Sequence, residues 1–295
     1  GDDYGEGGPG NDRMYGQDGR DAFHGNDGDD YLSGNNDNDL LVGDAGNDEI
    51  HGGFGNDHIG YTDASLNIDE EPGNDHLFGD DGNDFIIGGS GSDYIEGGTG
   101  KDGINGDWSV IFGPSFAISN SSDEIHGGEG DDSIAAGGNA YLIESETNYL
   151  YGDAGNDHLS AGSGGEQQSQ GDGGDQIHGG DGDDEIFGIS GRDTELGDAG
   201  NDLLHGYFGD DNLSGGDGND VIDGGGGDDT IVGGNDHDVL YGDVGDFDSL
   251  YGDAGPDTLS GGDGTDDYCN GGSEDDTFSG GSQGASGCES VSSVP

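Results

Sequence analysis

Apolar residues recur along this chain at every ninth position, most of them beside at least one polar neighbour. Met14, Phe23, Leu32, Leu41, Ile50 and Ile59 open the series, and Ile86, Ile95, Ile104, Ile134, Leu159, Ile186, Leu204, Ile222 and Leu240 continue it. A triplet with one apolar residue at its centre alternates out, in, out, and so predicts a short β-strand that buries a single side chain. Between the triplets lie six residues dominated by glycine, aspartate and asparagine, a composition that predicts a turn. A strand and turn of this size bury almost nothing alone, so a core can arise only by stacking repeats on one another. The units 7–15, 16–24 and 25–33 align in this register, which holds through Gly60. It resumes from Gly79 to Asn105, appears at 127–135 and 152–160, and runs from Gln170 to Tyr241. The register then takes one extra residue within 242–251 and another at Asn270 before Ser279.

A second column has the opposite chemistry. Counting from the first glycine of each unit, the sixth position is Asp12, Asp21, Asp30, Asp39, Asp48, Asp57, Asp75, Asp84, Asp93, Asp102, Asp123, Asp132 and Asp157, and then Asp175, Asp184, Asp193, Asp202, Asp211, Asp220, Asp229, Asp238, Asp248, Asp257, Asp266 and Asp276. Composition alone reads differently: 68 acidic against 4 basic residues give a net charge of -64, with only 26% apolar residues, which predicts disorder. A hard divalent cation offers the other outcome, because its preferred ligands are carboxylate and carbonyl oxygens. Two columns of opposite chemistry at one spacing favour that outcome, with the metal-free chain left disordered.

The unit G-G-x-G-x-D-x-U-x resembles the RTX, or haemolysin-type, calcium-binding repeat, over about four-fifths of the chain. The resemblance implies an all-β, right-handed parallel β-roll, a β-solenoid with two nonapeptides per coil. It further implies calcium ions in the turns, on the order of twenty of them, bridged by the sixth-position aspartates of successive coils. Such a protein folds outside the cell, where calcium is abundant. The residues agree with this reading: glycines at the first and fourth positions let carbonyl groups approach an ion, and the sixth-position aspartate brings charge to the same place.

Four stretches lose the motif: 61–69, 106–126, 136–151 and 161–169. The first and last are nine residues long and are expected to keep a coil while dropping a calcium site. The other two read as loops on an unbroken solenoid, with Asp123 and Asn148 restoring the register. The expected organisation is a regular roll over 1–105, the same solenoid with insertions over 106–169, a second regular roll over 170–279 and a degenerate cap over 280–295. Trp108, with Val110, Ile111, Phe112, Phe116 and Ile118, forms an aromatic insertion that either folds back over the roll or serves as a docking knob. Glu195 and Gln168 occupy inward columns and are expected to distort their coils. Cys269 and Cys288 both fall in the ninth column if Asn270 is looped out, which puts them on adjacent strands about 4.8 Å apart, within disulfide reach.

The chemistry of enzymes is missing from this pattern. No H-E-x-x-H zinc motif is present, and no EF-hand loop with its closing glutamate. A G-x-S-x-G match at 280–284 lies in a glycine-rich repeat with no apolar strand before it, and is expected to be accidental. Catalytic and cofactor-binding residues are therefore expected to be none. Arg13, Arg20, Lys101 and Arg192 form no basic patch for nucleic acid, and no apolar run is long enough to span a bilayer. No secretory leader opens the chain at Gly1. Two functions remain, a structural role in a matrix, surface layer or filament, and a secretion or adhesion module of a larger toxin, adhesin or enzyme. Ice binding through arrayed threonines fits poorly, since Thr99 is the lone threonine of the third column in the first repeats. The chain opens inside a repeat, with Asp3 in the sixth column, and head-to-tail assembly into a filament is expected from such an uncapped end.

Overall fold

The computed structural model describes residues 1–60, 73–107, 122–137, 147–161, 174–245, 247–263, 267–272, 275–279 and 290–293. Every regular element among them is a β-strand. The chain divides into two units, Gly1–Ala140 with Asn148–Leu150, and Tyr141–Thr147 with Tyr151–Pro295.

The first unit carries β1 (Tyr4–Glu6), β2 (Arg13–Asp18), β3 (Ala22–Asp27), β4 (Tyr31–Asn36), β5 (Leu40–Ala45), β6 (Glu49–Phe54) and β7 (His58–Ile59). It continues with β8 (His76–Asp81), β9 (Phe85–Gly89), β10 (Tyr94–Thr99), β11 (Gly103–Asp107), β12 (Glu124–Glu129) and β13 (Ser133–Ala135). β14 (Tyr149–Ala154) begins in the first unit and ends in the second. The second unit holds β15 (His158–Ser160), β16 (Gln176–Asp181), β17 (Glu185–Phe187), β18 (Thr194–Ala199), β19 (Leu203–His205), β20 (Asn212–Asp217) and β21 (Val221–Asp223). β22 (Thr230–Asn235), β23 (Val239–Tyr241), β24 (Ser249–Ala254), β25 (Thr258–Ser260), β26 (Tyr268–Gly272), β27 (Thr277–Ser279) and β28 (Ser290–Ser293) complete it.

Within each unit odd strands pair only with odd strands and even with even, always in parallel. Parallel neighbours need a long crossover, usually a helix. Here the crossover is the intervening strand of the opposite sheet with a turn on either side, so the parallel β-roll implied by the repeat is the architecture found. Inward residues stack directly, Leu32 on Ile50 in the even sheet and Phe23 on Leu41 in the odd one. Leu32, Leu41, Ile50 and Ile59 are 0% exposed, as are Ile186, Leu204, Ile222 and Leu240 in the second unit. One such side chain per nonapeptide buries little apolar area for the length of backbone it orders, so apolar burial alone does not hold the roll and the turns must contribute.

Every departure from the nine-residue period falls on one edge. Turns that follow even strands run six residues from glycine to aspartate in every case, from Gly16–Asp21 to Gly271–Asp276. Turns that follow odd strands carry all the insertions. Asp48 pairs with Asp75 and Asp57 with Asp84 across 27 residues where a coil takes 18, and Asp157 pairs with Asp184 across 27. Asp93 reaches Asp123 across 30 residues, and Asp123 reaches Asn148 across 25. The breaks 61–69 and 161–169 lie, apart from Ala161, outside the described residues, and against the expectation that they keep a coil the ladder passes directly from the aspartates before them to those after. A retained half-coil would have moved β8 into the odd sheet, whereas β8 pairs with β6. Trp108 and the rest of the aromatic insertion, and Gln168, lie outside the described residues.

Two other expectations are corrected. Glu195 leaves its coil undistorted, sitting in register between Ile177 and Leu213. The late extra residue falls before Asp267 and not at Asn270, because Asp248 and Asp257 reach their partners Asp267 and Asp276 across 19 residues each. Cys269 consequently occupies the inward column beside Leu250, fully buried, and not the ninth column. Cys288 lies outside the described residues.

Candidate metal centre

The turns place the sixth-position aspartates in two rows, one on each edge of the roll. The first row follows the even strands: Asp3, Asp21, Asp39, Asp57, Asp84, Asp102 and Asp132 in the first unit, then Asp157, Asp184, Asp202, Asp220, Asp238, Asp257 and Asp276 in the second. The second row follows the odd strands: Asp12, Asp30, Asp48, Asp75, Asp93 and Asp123, then Asp175, Asp193, Asp211, Asp229, Asp248 and Asp267. Asn148 takes the aspartate's place at the end of the first unit's second row. Asp266 lies outside the described residues, and the shifted register seats Asp267 in the row.

One rule of hydrogen bonding builds both rows. The N–H of each aspartate donates to Oδ1 of the aspartate one coil on: Asp21 to Asp39 at 2.7 Å, Asp39 to Asp57 at 2.8 Å, Asp202 to Asp220 at 2.8 Å. The second row repeats it, Asp30 to Asp48 at 2.7 Å and Asp193 to Asp211 at 2.8 Å. This leaves the other carboxylate oxygen turned inward. Oδ2 of Asp21, Asp39, Asp57, Asp84 and Asp102, and of Asp184, Asp202, Asp220 and Asp238, is buried without a hydrogen-bond partner. A single orphaned buried carboxylate oxygen needs explaining in any protein, and here it is the rule of the fold.

The glycines show what these oxygens face. A Cβ on first-position Gly34 would run into Oδ2 of Asp39 and lie 2.7 Å from the carbonyl oxygen of Gly52. Gly215 repeats the arrangement with Asp220 and the Gly233 carbonyl at 2.7 Å. The absent side chain thus leaves a cradle lined by a carboxylate oxygen and a main-chain carbonyl of the next coil. Burial pushes many carboxyls of the rows up, and neighbouring aspartates of the same row add to the effect. Asp39, Asp48 and Asp57 rise to about 6, Asp84, Asp202, Asp238 and Asp248 to about 7, and Asp75 and Asp211 to about 8.

An all-oxygen donor set of carboxylates and carbonyls suits a hard cation such as Ca²⁺, and the orphaned Oδ2 atoms and glycine cradles fit one. Among the described residues no three His, Cys, Asp or Glu side chains converge on a point, so main-chain carbonyls must complete each coordination shell. The holding groups would be the inward Oδ2 atoms and the first-position glycine carbonyls. A bound divalent cation supplies the positive charge that lets buried carboxyls ionise. The ninth-column histidines take no part in the rows: His24 and His178 lie on the outer face beside Asp44 and Asp198, at 3.2 and 3.5 Å. The G-x-S-x-G match at 280–284 lies outside the described residues. No helix among the described residues is long and apolar enough to cross a membrane.

The family profile of the RTX calcium-binding nonapeptide repeat (4 copies) matches residues 1–32, 24–59, 71–104, 119–140, 145–165, 171–195, 187–222, 196–231, 214–246 and 244–278. No curated protein matches the chain. Among solved structures, the chain is similar to the crystal structure of a hyperactive, Ca²⁺-dependent, β-helical antifreeze protein from an Antarctic bacterium, with 17% identity, over 92% of this chain and 79% of that one, at a TM-score of 0.34.

Proposed function

Since the chain belongs to the RTX calcium-binding nonapeptide-repeat family, we propose that it is a calcium-folded scaffold without catalytic activity, working outside the cell as a structural element of a matrix, surface layer or filament. The observation that carries this reading is the row of inward Oδ2 atoms, buried and without hydrogen-bond partners, on each edge of the roll. A chain of net charge -64 repels its own compaction, and cations held between the coils relieve that repulsion where it is greatest. Oxygen-ligand sites of extracellular modules bind calcium at roughly 10⁻⁴–10⁻³ M. Folding is thus withheld at the low calcium of a cytosol and released outside, the stacking of coil on coil making it cooperative. On the same reading a Cys269–Cys288 disulfide closes the last coil, worth about 3 kcal/mol for a loop of this length.

Circular dichroism and hydrodynamic radius during a calcium titration test the proposal. The expected result is a steep passage from expanded coil to compact β structure at roughly 10⁻⁴–10⁻³ M calcium. A compact β spectrum already present in chelator at pH 8, or no change at concentrations well above that range, refutes it.

A further inference from the structure

One inward side chain breaks the chemistry of its column without breaking the fold. Glu195, on β18, stands between Ile177 and Leu213 in the even sheet and is 0% exposed. Neither Oε1 nor Oε2 has a hydrogen-bond partner. The Gly188 N–H, which lies beside the carboxyl, donates to the carbonyl of His205 at 3.0 Å. A carboxylate in an apolar stack is strongly unfavourable unless something compensates it. An isoleucine or leucine, as in the neighbouring strands, would avoid that cost.

The direction of the side chain supplies the explanation. Glu195 Oε1 bends back from β18 to the first glycine of its own turn, Gly188, which opens the second-row turn ending at Asp193. A Cβ on Gly188 would run into Oε1, and would lie 2.6 Å from Oδ2 of Asp193. The two oxygens therefore flank one cradle. Asp193 is itself 0% exposed, and its Oδ2 has no hydrogen-bond partner. Calcium–oxygen distances of about 2.3–2.6 Å let one ion span oxygens up to about 5 Å apart. The turns around Asp184, Asp202, Asp211 and Asp220 each direct one carboxylate inward, whereas the cradle at Gly188 receives two, from Asp193 of its turn and from Glu195 on the strand that follows.

We propose that Glu195 is a metal ligand, and that with Asp193 and main-chain carbonyls of the turn 188–193 it forms a dicarboxylate calcium site that holds its ion more tightly than its row neighbours. Affinity at oxygen-ligand calcium sites rises with the number of charged ligands. This site is accordingly the last to empty on chelation, and it seeds the second unit when calcium returns. The inference rests on the calcium-folding reading above and adds to it a ranking among the sites.

The test compares the full chain with Glu195→Leu and Glu195→Gln, titrating calcium against a chromophoric chelator to count ions and rank their affinities. For the wild type we expect one ion bound at least tenfold more tightly than the average of the others. In Glu195→Leu that ion is lost or falls to the average, while the melting temperature in saturating calcium equals or exceeds that of the wild type, because the column is apolar throughout. Glu195→Gln, which keeps the shape and removes the charge, also loses the tight ion. Identical ion counts and affinities in all three chains overturn the inference and reduce Glu195 to a tolerated buried acid, as does a wild type in which no ion is tighter than the rest. A wild type that neither binds calcium nor folds with it overturns the calcium-folding reading itself, and this inference with it.

Discussion

Removing calcium exposes the electrostatics of the rows, and pH then reports on them. Four of the most enclosed aspartates are Asp75, Asp93, Asp193 and Asp211, each at most 3% exposed. Burial raises Asp93 to about 6, Asp193 to about 7, and Asp75 and Asp211 to about 8. An unfolded aspartate titrates near 3.9, so between about pH 4 and 8 the metal-free roll holds more protons than the unfolded chain. Stability changes with pH as the protons bound in the unfolded state minus those bound in the native state, and the sign here is negative. The metal-free roll therefore loses stability as pH rises through that window. At about 1.4 kcal/mol per unit, each of these four costs about 3–4 kcal/mol by pH 7, together about 12–16 kcal/mol, as much as the whole stability of an ordinary domain. With calcium bound the carboxyls are held ionised, so the sign reverses: stability is flat from about pH 8 to 5 and falls only as the carboxylates protonate near pH 4. Circular dichroism of dilute protein between pH 8 and 4.5, with chelator and with calcium, measures both slopes. In chelator the β signal should be lowest at pH 8 and grow as the pH falls. A metal-free chain as structured at pH 8 as at pH 4.5 would refute the reasoning, since it would mean that the stacked carboxyls carry no penalty.

Two further outcomes follow from the geometry of the turns. Gly218 adopts a φ of +139°, and a Cβ there would run into the carbonyl of Gly200 in the coil before, so Gly218→Ala should cost more than about 2 kcal/mol and raise the calcium concentration at half-folding, while exposed Asn212→Ala stays within about 0.5 kcal/mol. Deleting 61–69 should shorten the span from Asp48 to Asp75 from 27 residues to the ordinary 18 and leave the number of bound ions and the folding midpoint unchanged; a lost ion or a shifted midpoint would show that those residues form part of a coil.

Much of this was legible in the sequence because the repeat writes each structural role into its own column. The eighth column held the core from Leu32 to Leu259 apart from Glu195, and the sixth held the residues of both rows apart from Asp267, because a nine-residue period leaves each position one environment. Reading failed where register had to be carried across a gap. Period alone does not say whether nine foreign residues form a half-coil or stand aside, and the hydrogen bonds from Asp48 to Asp75 and from Asp57 to Asp84 are what decide it. The same limit misplaced the extra residue near Cys269, where the neighbouring Asp266 and Asp267 offer two equivalent registers. Glu195 was visible as an anomaly, but its direction toward Gly188 depends on a side-chain conformation that no column specifies.

The confinement of every insertion to one edge has a physical cause that the repeat itself does not contain. Each coil has two turns, and a solenoid whose coils were interrupted on both edges would have no edge of uniform turns to hold its register. With the first-row turns kept at six residues from Gly16–Asp21 onward, each unit retains one such edge, along which every aspartate N–H finds the next carboxylate. The other edge is then free to accept 27-, 30- and 25-residue coils, because the ladder beside it fixes where each strand must return. Sequence variation thus resides in the second-row turns, while within each unit the hydrogen-bonded ladder is continuous on both edges. A cation lost from a single turn should therefore leave the coils on either side joined through the opposite edge, and uncoupling them should require the loss of both.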